Sequence, residues 1–405
     1  MGKMTNRGRL ILLFALLLSS VSSASAAANS NKATAFFFRV GQWVDDFQLR
    51  GLDTAYIALP EHSWSIALNN SEVGINDTYT TWTDAATPVA LRAQTTPSLG
   101  IGFNAAYRGY GGGYSWDVLN AYTTNWNVSM GSKIMGIEFM RSVSTNLTGK
   151  FLVDGTYDPS LPMLNKGEFR ISNLSLTAWY ALNAAHYSHN AATKQSYIQK
   201  RTAGSLLLSV AYMSSQMNIL DSAKYIQDDD MSVLFDGVTG TITRQVALGI
   251  GYGINYTPNH GKVLLHAAAN MQVVFYSINH ISYSFAPNVT MHGEPQYALR
   301  PSSPVHVAGN LRAAVSWEIN QWVHLSAWGQ ANNLRFASKA GDMTTFTIST
   351  WHWQAHINVG VRFGAGKKRV REVLGEPEQE LAPAVPEKPS KLPRWITDYF
   401  FSPYH

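Results

Sequence analysis

Cysteine is absent from all 405 residues. That excludes disulfides, thiolate metal sites and a lipid-modified N-terminal cysteine anchor. Charge is scarce: Asp, Glu, Lys and Arg make up 14% of the chain, against about 25% in soluble domains. Beyond the leader no apolar run approaches the roughly 18 residues of a transmembrane helix candidate. Aromatics are plentiful at 12%, with 12 Trp and 19 Tyr, yet mean hydropathy is only −0.11. Low charge, many aromatics and middling hydropathy describe a wall that is apolar on one face and polar on the other. The formal charge of +5 includes Lys3, Arg7 and Arg9, which leaves +2 beyond the leader. No basic patch interleaved with aromatics accompanies it, so no nucleic-acid partner is expected.

Residues 1–26 read as a signal peptide. Lys3, Arg7 and Arg9 form the positive region, Leu10 to Leu18 the apolar region, and Ala24-Ser25-Ala26 the cleavage site. Nine apolar residues are too few to span a bilayer core, which needs about 20. Export from the cytoplasm is the expectation.

The strongest pattern is strict alternation near the C-terminus. Trp351, Trp353, Ala355, Ile357, Val359, Val361 and Phe363 are apolar, while His352, Gln354, His356, Asn358, Gly360 and Arg362 between them are polar or small. Period two is a strand signal. The same split separates Val305, Val307, Leu311, Ala313, Val315, Trp317 and Ile319 from His306, Asn310, Arg312, Ser316 and Glu318. It also separates Val246, Leu248, Ile250, Tyr252 and Ile254 from Gln245, Ala247, Gly249, Gly251 and Gly253. Length distinguishes a membrane wall from a soluble sandwich. A tilted strand from Trp351 to Phe363 rises about 30 Å, enough for an apolar band about 25 Å tall with an aromatic at each interface. Soluble strands average about 5 or 6 residues.

The fold class expected is therefore all-β: an antiparallel transmembrane β-barrel of about 12 strands in the cell outer membrane. Strands are predicted near 63–70, 97–107, 112–118, 132–141, 146–153, 169–181, 203–213, 241–256, 262–277, 303–319, 321–334 and 345–363. An even number puts both termini in the periplasm. Long loops at 214–240, 278–302 and 335–344 alternate with tight turns at 257–261 and 320, as outer loops and periplasmic turns should. Residues 182–202 break the rule, being long where a short periplasmic turn is needed. Outside the barrel at 63–363 lie a periplasmic N-terminal segment, 27–62, and a proline-rich periplasmic tail, 364–405. In the first, Val40, Trp43, Val44 and Phe47 share one helical face. The tail opens with Lys367, Lys368, Arg369 and Arg371, continues through Pro377, Pro383, Pro386, Pro389 and Pro393, and ends on Trp395, Ile396, Tyr399 and Phe400. Either segment would plug or brace the barrel, and the tail would engage a periplasmic partner.

Trp43-Val44-Asp45-Asp46-Phe47, Gly51-Leu52-Asp53-Thr54-Ala55-Tyr56-Ile57 and Trp64-Ser65-Ile66 resemble the start of a Bacteroidota family known as domain of unknown function 4421. Pro97-Ser98-Leu99-Gly100-Ile101-Gly102-Phe103 and Gly111-Gly112-Gly113-Tyr114 resemble its early hairpins. The resemblance covers roughly 40 to 363. It implies an outer-membrane barrel and no activity. Phe363 also resembles the closing signal read by barrel-assembly machinery, although 42 residues follow it here.

Candidate chemistry is sparse. His324 and Ser326 lie at i and i+2, so on a strand they point the same way and an imidazole could activate the hydroxyl. Asn310 or Asn358 on neighbouring strands could orient the ring, and the His-x-Ser pair is similar to that of outer-membrane lipid hydrolases. A lumen histidine bonded to water is the plainer reading. His352 and His356 share a face, with His306 and His324 nearby, but i and i+4 on a strand are about 13 Å apart; no metal and no cofactor is predicted. Asp228-Asp229-Asp230 lacks EF-hand spacing and reads as a solvated loop tip.

Glu138, Arg312, Glu318 and Arg362 face inward in this register, where they either pair or line a solute path. Gly249, Gly251 and Gly253 leave room for water, a solute or the 27–62 segment. Trp351 and Phe363 mark the membrane interfaces, with outer-membrane lipid and lipopolysaccharide as surroundings. Three functions follow. The first is a non-enzymatic, porin-like narrow channel or ligand-holding barrel. The second is a structural anchor for periplasmic or envelope partners. The third is a lipid hydrolase using His324 and Ser326.

Overall fold

A computed structural model describes Arg39 and residues 51–364, apart from 82–88, 97–98, 109, 119–122, 133, 158, 162, 221–237, 259–261, 284–295, 300–304 and 341–343. The signal peptide, the helical face at Val40 to Phe47, the Asp228 run and the proline-rich tail lie outside the described residues.

In chain order the elements are β1 (Ile57–Ala58), β2 (Trp64–Thr81), β3 (Val89–Thr95), β4 (Gly100–Tyr107), β5 (Tyr110–Asp117), β6 (Thr123–Gly131) and β7 (Met135–Ser144). β8 (Leu147–Val153), β9 (Thr156–Tyr157), β10 (Met163–Leu164), β11 (Phe169–Ala181), α1 (Ala191–Lys194) and β12 (Ile198–Gln199) follow. The chain continues through β13 (Ala203–Ile219), β14 (Val238–Tyr256), β15 (Val263–Tyr283), β16 (Gln296–Leu299), β17 (His306–Glu318), β18 (Val323–Ala340) and β19 (Thr344–Phe363).

Twelve of these strands form a closed antiparallel ring: β2, β4, β5, β6, β7, β11, β13, β14, β15, β17, β18 and β19. The first and last strands close it, in register from Trp64↔Phe363 to Thr80↔Thr347. Closure gives each wall strand a partner on both sides, which hydrocarbon demands because it offers the backbone no hydrogen bonds.

Each wall strand shows the alternation that its sequence encodes. On β19, Trp351, Trp353, Ile357, Val359 and Val361 are exposed to the outside, while His356, Asn358 and Arg362 are buried within. Leu248, Ile250, Met271, Val273, Leu311 and Val315 continue the outer apolar face. The fold is a transmembrane β-barrel. At Phe275 the alternation slips: Val246 pairs with Tyr276 and Ala247 with Val274, so Phe275 is the extra residue of a β-bulge. Both Phe275 and Tyr276 are exposed there.

Twelve is the expected count, but its membership differs. The 146–153 segment was expected in the wall. It forms β8, which pairs with β3 and β10 above the ring. Its place is taken by β6, where outward Thr124, Trp126, Val128 and Met130 alternate with inward Thr123, Asn125, Asn127 and Ser129. The supposed loop 335–344 is largely strand, with β18 running to Ala340 and β19 beginning at Thr344. β2 also runs eleven residues past the expected end. Its first half pairs with β4, and its second half pairs with β3.

The end carrying Trp64 and Phe363 is termed proximal here, the other distal. Trp64 and Phe363 stack at the proximal rim with ring centroids 6.3 Å apart. At the distal end β3, β8 and β10 rise above the short strands β4 to β7. Their inward side chains Val89, Leu91, Leu147, Phe151 and Leu164 meet Ile75, Tyr79, Phe169, Ile171, Met217, Phe336 and Ile348 from the wall. Each fully buried Leu, Ile or Phe in such a cluster contributes about 1.5–3 kcal/mol, so the distal lumen is a packed apolar core. Ile357→Lys would place a charge at mid-depth on the lipid face and should cost about 2–4 kcal/mol in reversible folding into lipid vesicles. The same change at Gln94, exposed on the distal side, should cost less than about 1 kcal/mol.

Candidate functional site: a plugged lumen

The anomalous stretch 182–202 turns back into the proximal mouth of the barrel. Tyr187, His189, Asn190, Ala191, Ala192, Tyr197 and Gln199 are all buried. Two short elements give it shape: the single turn α1, and β12, which pairs with β1 of the N-terminal segment. Leu52 and Ile57 from that segment pack with Ala191, Ala192 and Tyr197 against Leu264, Ala314 and Trp328 of the wall. Lys200 Nζ donates to the Thr54 carbonyl at 3.0 Å, and His186 lies 3.5 Å from Asp53. The N-terminal segment braces the plug from below.

Polar side chains of the wall hold the plug at its buried end. Arg312 Nη2 donates to Glu138 Oε2 at 2.6 Å and Nη1 to Oε1 at 3.2 Å, a bidentate pair across the lumen. Arg312 Nη1 also donates to His189 Nε2 at 3.2 Å. His189 Nδ1 is 3.1 Å from the Tyr187 hydroxyl. With Nε2 accepting from a guanidinium, the ring is neutral and carries its proton on Nδ1. Burial, and then the Arg312 charge, push the His189 pKa well below its ordinary value. Burial also lowers Lys194, against the pull of Glu138. Lys194 Nζ sits 5.7 Å from the Trp328 ring centroid. Nearby, Asn255 Nδ2 donates to the Ser188 carbonyl at 2.8 Å and to Gln199 Oε1 at 3.0 Å.

The inward residues named from the sequence now have places. Glu318 and Arg362 form a second bidentate pair, with Arg362 Nη2 2.7 Å from Glu318 Oε1. The same Nη2 lies 3.5 Å from the Gln195 carbonyl of the plug. Gly253 faces the Tyr187 hydroxyl, which leaves no room for a Cβ. The Ser209 and Asn270 side chains stand over Gly249, and the Ala269 and Asn270 backbone crowds Gly251. The space over Gly249 and Gly251 is taken by neighbouring strands, and that over Gly253 by Tyr187 of the 182–202 plug.

His324 and Ser326 both point inward and are buried, with no hydrogen bond joining them. Ser326 Oγ accepts from Asn358 Nδ2 at 3.1 Å, and His324 Nδ1 has no partner. Asn310 pairs with Asn332, eight residues along β18 from His324. Asn310 therefore stands at another level, whereas Asn358 shares the level of Ser326 but bonds the hydroxyl and not the ring. His352 Nε2 donates to Asp77 Oδ1 at 2.8 Å, His306 accepts from Gln245 at 3.1 Å, and His356 stacks on Trp328 at 4.2 Å. Among the described residues no three His, Asp or Glu side chains converge to hold a metal ion. Trp351 is exposed on the outer face, and Phe363 closes the proximal rim.

Between plug and distal core the lumen is narrow and polar. One cavity of about 80 Å³ is bordered by Asn125, Asn173, Asn332, Gln354 and His352. Two of about 50 Å³ lie beside Arg312 and beside His324. Spaces of this size hold a few waters, whereas drug-sized ligands need about 300–1,000 Å³.

A closed antiparallel ring with an apolar outer belt and a filled polar interior defines the class: a plugged transmembrane β-barrel. The chain belongs to the family described as Domain of unknown function (DUF4421), whose model matches residues 51–363. No curated protein matches it. It is similar to the outer membrane protease OmpT from Escherichia coli, at 7% identity and a TM-score of 0.38, covering 76% of this chain and 98% of that one. It is similar to the translocator domain of the autotransporter NalP from Neisseria meningitidis, at 14% identity and a TM-score of 0.27, covering 84% and 99%. A FadL homologue from Pseudomonas aeruginosa aligns at 8% identity and a TM-score of 0.22, covering 74% and 90%. Likenesses of this degree carry no argument about activity.

Gly253→Val should drive a side chain into Tyr187 and unseat the plug at a cost of about 1–3 kcal/mol. Limited proteolysis of the membrane-inserted protein should then cut within 183–202, while Gly309→Ala, which meets only a 3.5 Å contact, leaves the segment protected. Acid should act in the same direction. A released His189 titrates near pH 6.5, but the docked ring excludes the proton. Docking is thus fully favoured above that pH and weakens as pH falls below it. Cleavage within the plug should be faster at pH 5 than at pH 8.

Proposed function

We propose that this is a non-enzymatic outer-membrane barrel that is held shut and serves as a membrane-seated scaffold. The observation behind this reading is that both ends of the lumen are filled. A distal apolar core of sixteen buried residues caps one end, and the braced plug at 182–202 fills the other. A solute crossing the barrel would have to displace both. The cavities bordered by the described residues between plug and core, about 50 to 80 Å³, are too small for a lipid or sugar, which weighs against a ligand-holding barrel. Transport remains the second reading, because the plug is tied to the wall by hydrogen bonds that a conformational change can exchange. Lipid hydrolysis has the least support, since His324 and Ser326 are enclosed by the wall and unlinked to each other.

At the proximal end the strand pairs β4–β5, β6–β7, β14–β15 and β17–β18 end and begin only a few residues apart in the chain, as strands joined by periplasmic turns do in barrels of this kind. That supports an orientation with both termini and the plug on the periplasmic side. The tail beyond residue 364 would then extend toward periplasmic partners, with the basic run at Lys367 nearest the membrane.

In planar bilayers the purified folded protein should be electrically silent over a wide voltage range. Discrete conductance steps from the native chain would contradict the scaffold reading. The same preparation should release no fatty acid from phospholipid, and Ser326→Ala should leave that baseline unchanged.

A further inference from the structure

Above the apolar belt the outer surface changes character. On the distal sheet Leu91 and Phe151 point inward into the core, so Arg92 on β3 and Lys150 on β8 point outward, and both are exposed. They are register partners, with Cβ atoms about 5 Å apart. Thr78 of β2 flanks Arg92 on its other side. One tier below, Asn76, Gln94 and Thr148 stand in the same order across the three strands. The two tiers make one continuous face with two cations, four hydrogen-bonding side chains and no carboxylate. Thr78 stands fourteen residues above Trp64 and Asn76 twelve. In a tilted wall these are heights of about 35 and 30 Å above the proximal rim, just beyond an apolar band of about 25 Å. Arg170, Arg244 and Arg335 are also exposed, eleven or twelve residues from the proximal ends of their strands and so at about 30 Å. None of these five cations has an ion-pair partner among the described residues. The nearby carboxylates are otherwise placed. Glu72 points outward on β2 about 20 Å along the strand from the Arg92 level. Asp154 lies in the turn after β8, and Glu168 accepts from the Asn165 N–H at 2.6 Å.

Like charges directly opposite on paired strands repel, and a ligand with two negative charges relieves that repulsion. We infer that this face binds the phosphate monoester of a lipid A headgroup in the outer leaflet, with Arg92 and Lys150 as its two charges and the tier below as hydrogen-bond donors. The assignment rests on the orientation proposed above, which turns the distal end outward. A phosphate monoester carries a charge of about −1.5 to −2 at neutral pH, which two cations match. The phosphodiester of an ordinary phospholipid carries a single charge. The Arg92 guanidinium can take two phosphate oxygens at once, and the Lys150 ammonium beside it a third. Beneath the face, the register partners Ile101 of β4 and Trp116 of β5 are exposed and apolar. A headgroup held above and acyl chains laid below fit an amphiphile better than free phosphate. Arg170, Arg244 and Arg335 are single cations at the same height and meet other headgroups around the ring.

Native mass spectrometry of the full chain, released from phosphatidylcholine nanodiscs doped with purified bisphosphorylated lipid A, tests this whichever way the protein lies in the cell. Lipid A should stay bound. Dephosphorylated lipid A and phosphatidylglycerol should each be held at least about tenfold more weakly. Arg92→Gln combined with Lys150→Gln should weaken lipid A by at least about tenfold. Lys150→Arg should retain it, and so should Arg141→Gln, which removes an outward charge six residues above Met135, below this level. Inorganic phosphate should not displace it. Equal retention of the dephosphorylated form or of phosphatidylglycerol overturns the inference. So does an unchanged affinity in the double variant, an equal loss in Arg141→Gln, or displacement by inorganic phosphate. Orientation is read separately. Thr156→Cys, exposed in the hairpin after β8, should react with a membrane-impermeant maleimide on intact cells. Labelling only after the outer membrane is breached overturns the orientation, and the outer-leaflet assignment with it, even where the nanodisc result holds.

Discussion

The rest of the structure depends on the pairing of β2 with β19. Hydrocarbon offers no donor or acceptor to a strand edge, so a sheet in the membrane is viable only as a ring. Trp64 to Thr80 against Phe363 to Thr347 supplies that closure. It joins residues about 300 positions apart in the chain, so it forms only when all intervening strands are in register. A slip of one residue anywhere in the wall would exchange the lipid face with the lumen face. Long strands with strict alternation are what hold the register, and charge is scarce in the composition because about half of the wall must face acyl chains.

Closure creates a second constraint inside. A ring of twelve strands encloses more space than its own side chains fill, and much of its inner face is polar. The molecule meets this in three storeys. The distal storey is an apolar core formed with β3, β8 and β10. The middle is a thin polar layer with room for a few waters. The proximal storey is a segment of the chain itself, anchored by Arg312, Glu138 and Asn255 and supported beneath by Leu52 and Ile57. Buried charges are tolerated there because they meet one another in bidentate geometry. A barrel filled in this way is rigid and closed, the property on which the scaffold reading rests.

The wall was legible in the sequence because lipid on one side and a polar lumen on the other impose a period of two, which β14, β17 and β19 display over more than ten residues. β6 was also legible, since Thr124, Trp126, Val128 and Met130 alternate with Thr123, Asn125, Asn127 and Ser129. Its short length and neighbouring Thr residues disguised it. β8 shows the same alternation but lies above the ring. Period alone reports a two-faced strand, not which sheet the strand joins, so the expected total was right with one strand misassigned. The length of 182–202 marked it as anomalous for a turn, but composition does not say whether a loop lies outside a barrel or within it. The Glu138–Arg312 pair links positions 174 apart, and only the three-dimensional register brings them together. The shared direction of His324 and Ser326 followed from their spacing. Their separation from Asn310 depends on the β17–β18 register, which spacing alone does not determine.

Ring closure can be measured directly because any cysteine added to this chain is unique. Leu68 on β2 and Val359 on β19 are register partners, so Leu68→Cys combined with Val359→Cys brings two thiols together across the seam. In the membrane-inserted protein the account predicts a near-complete intramolecular cross-link between the first and last wall strands, while a Leu68→Cys, Val315→Cys control stays unlinked. A folded, inserted double variant whose two introduced thiols fail to join, or join only between chains, would contradict it.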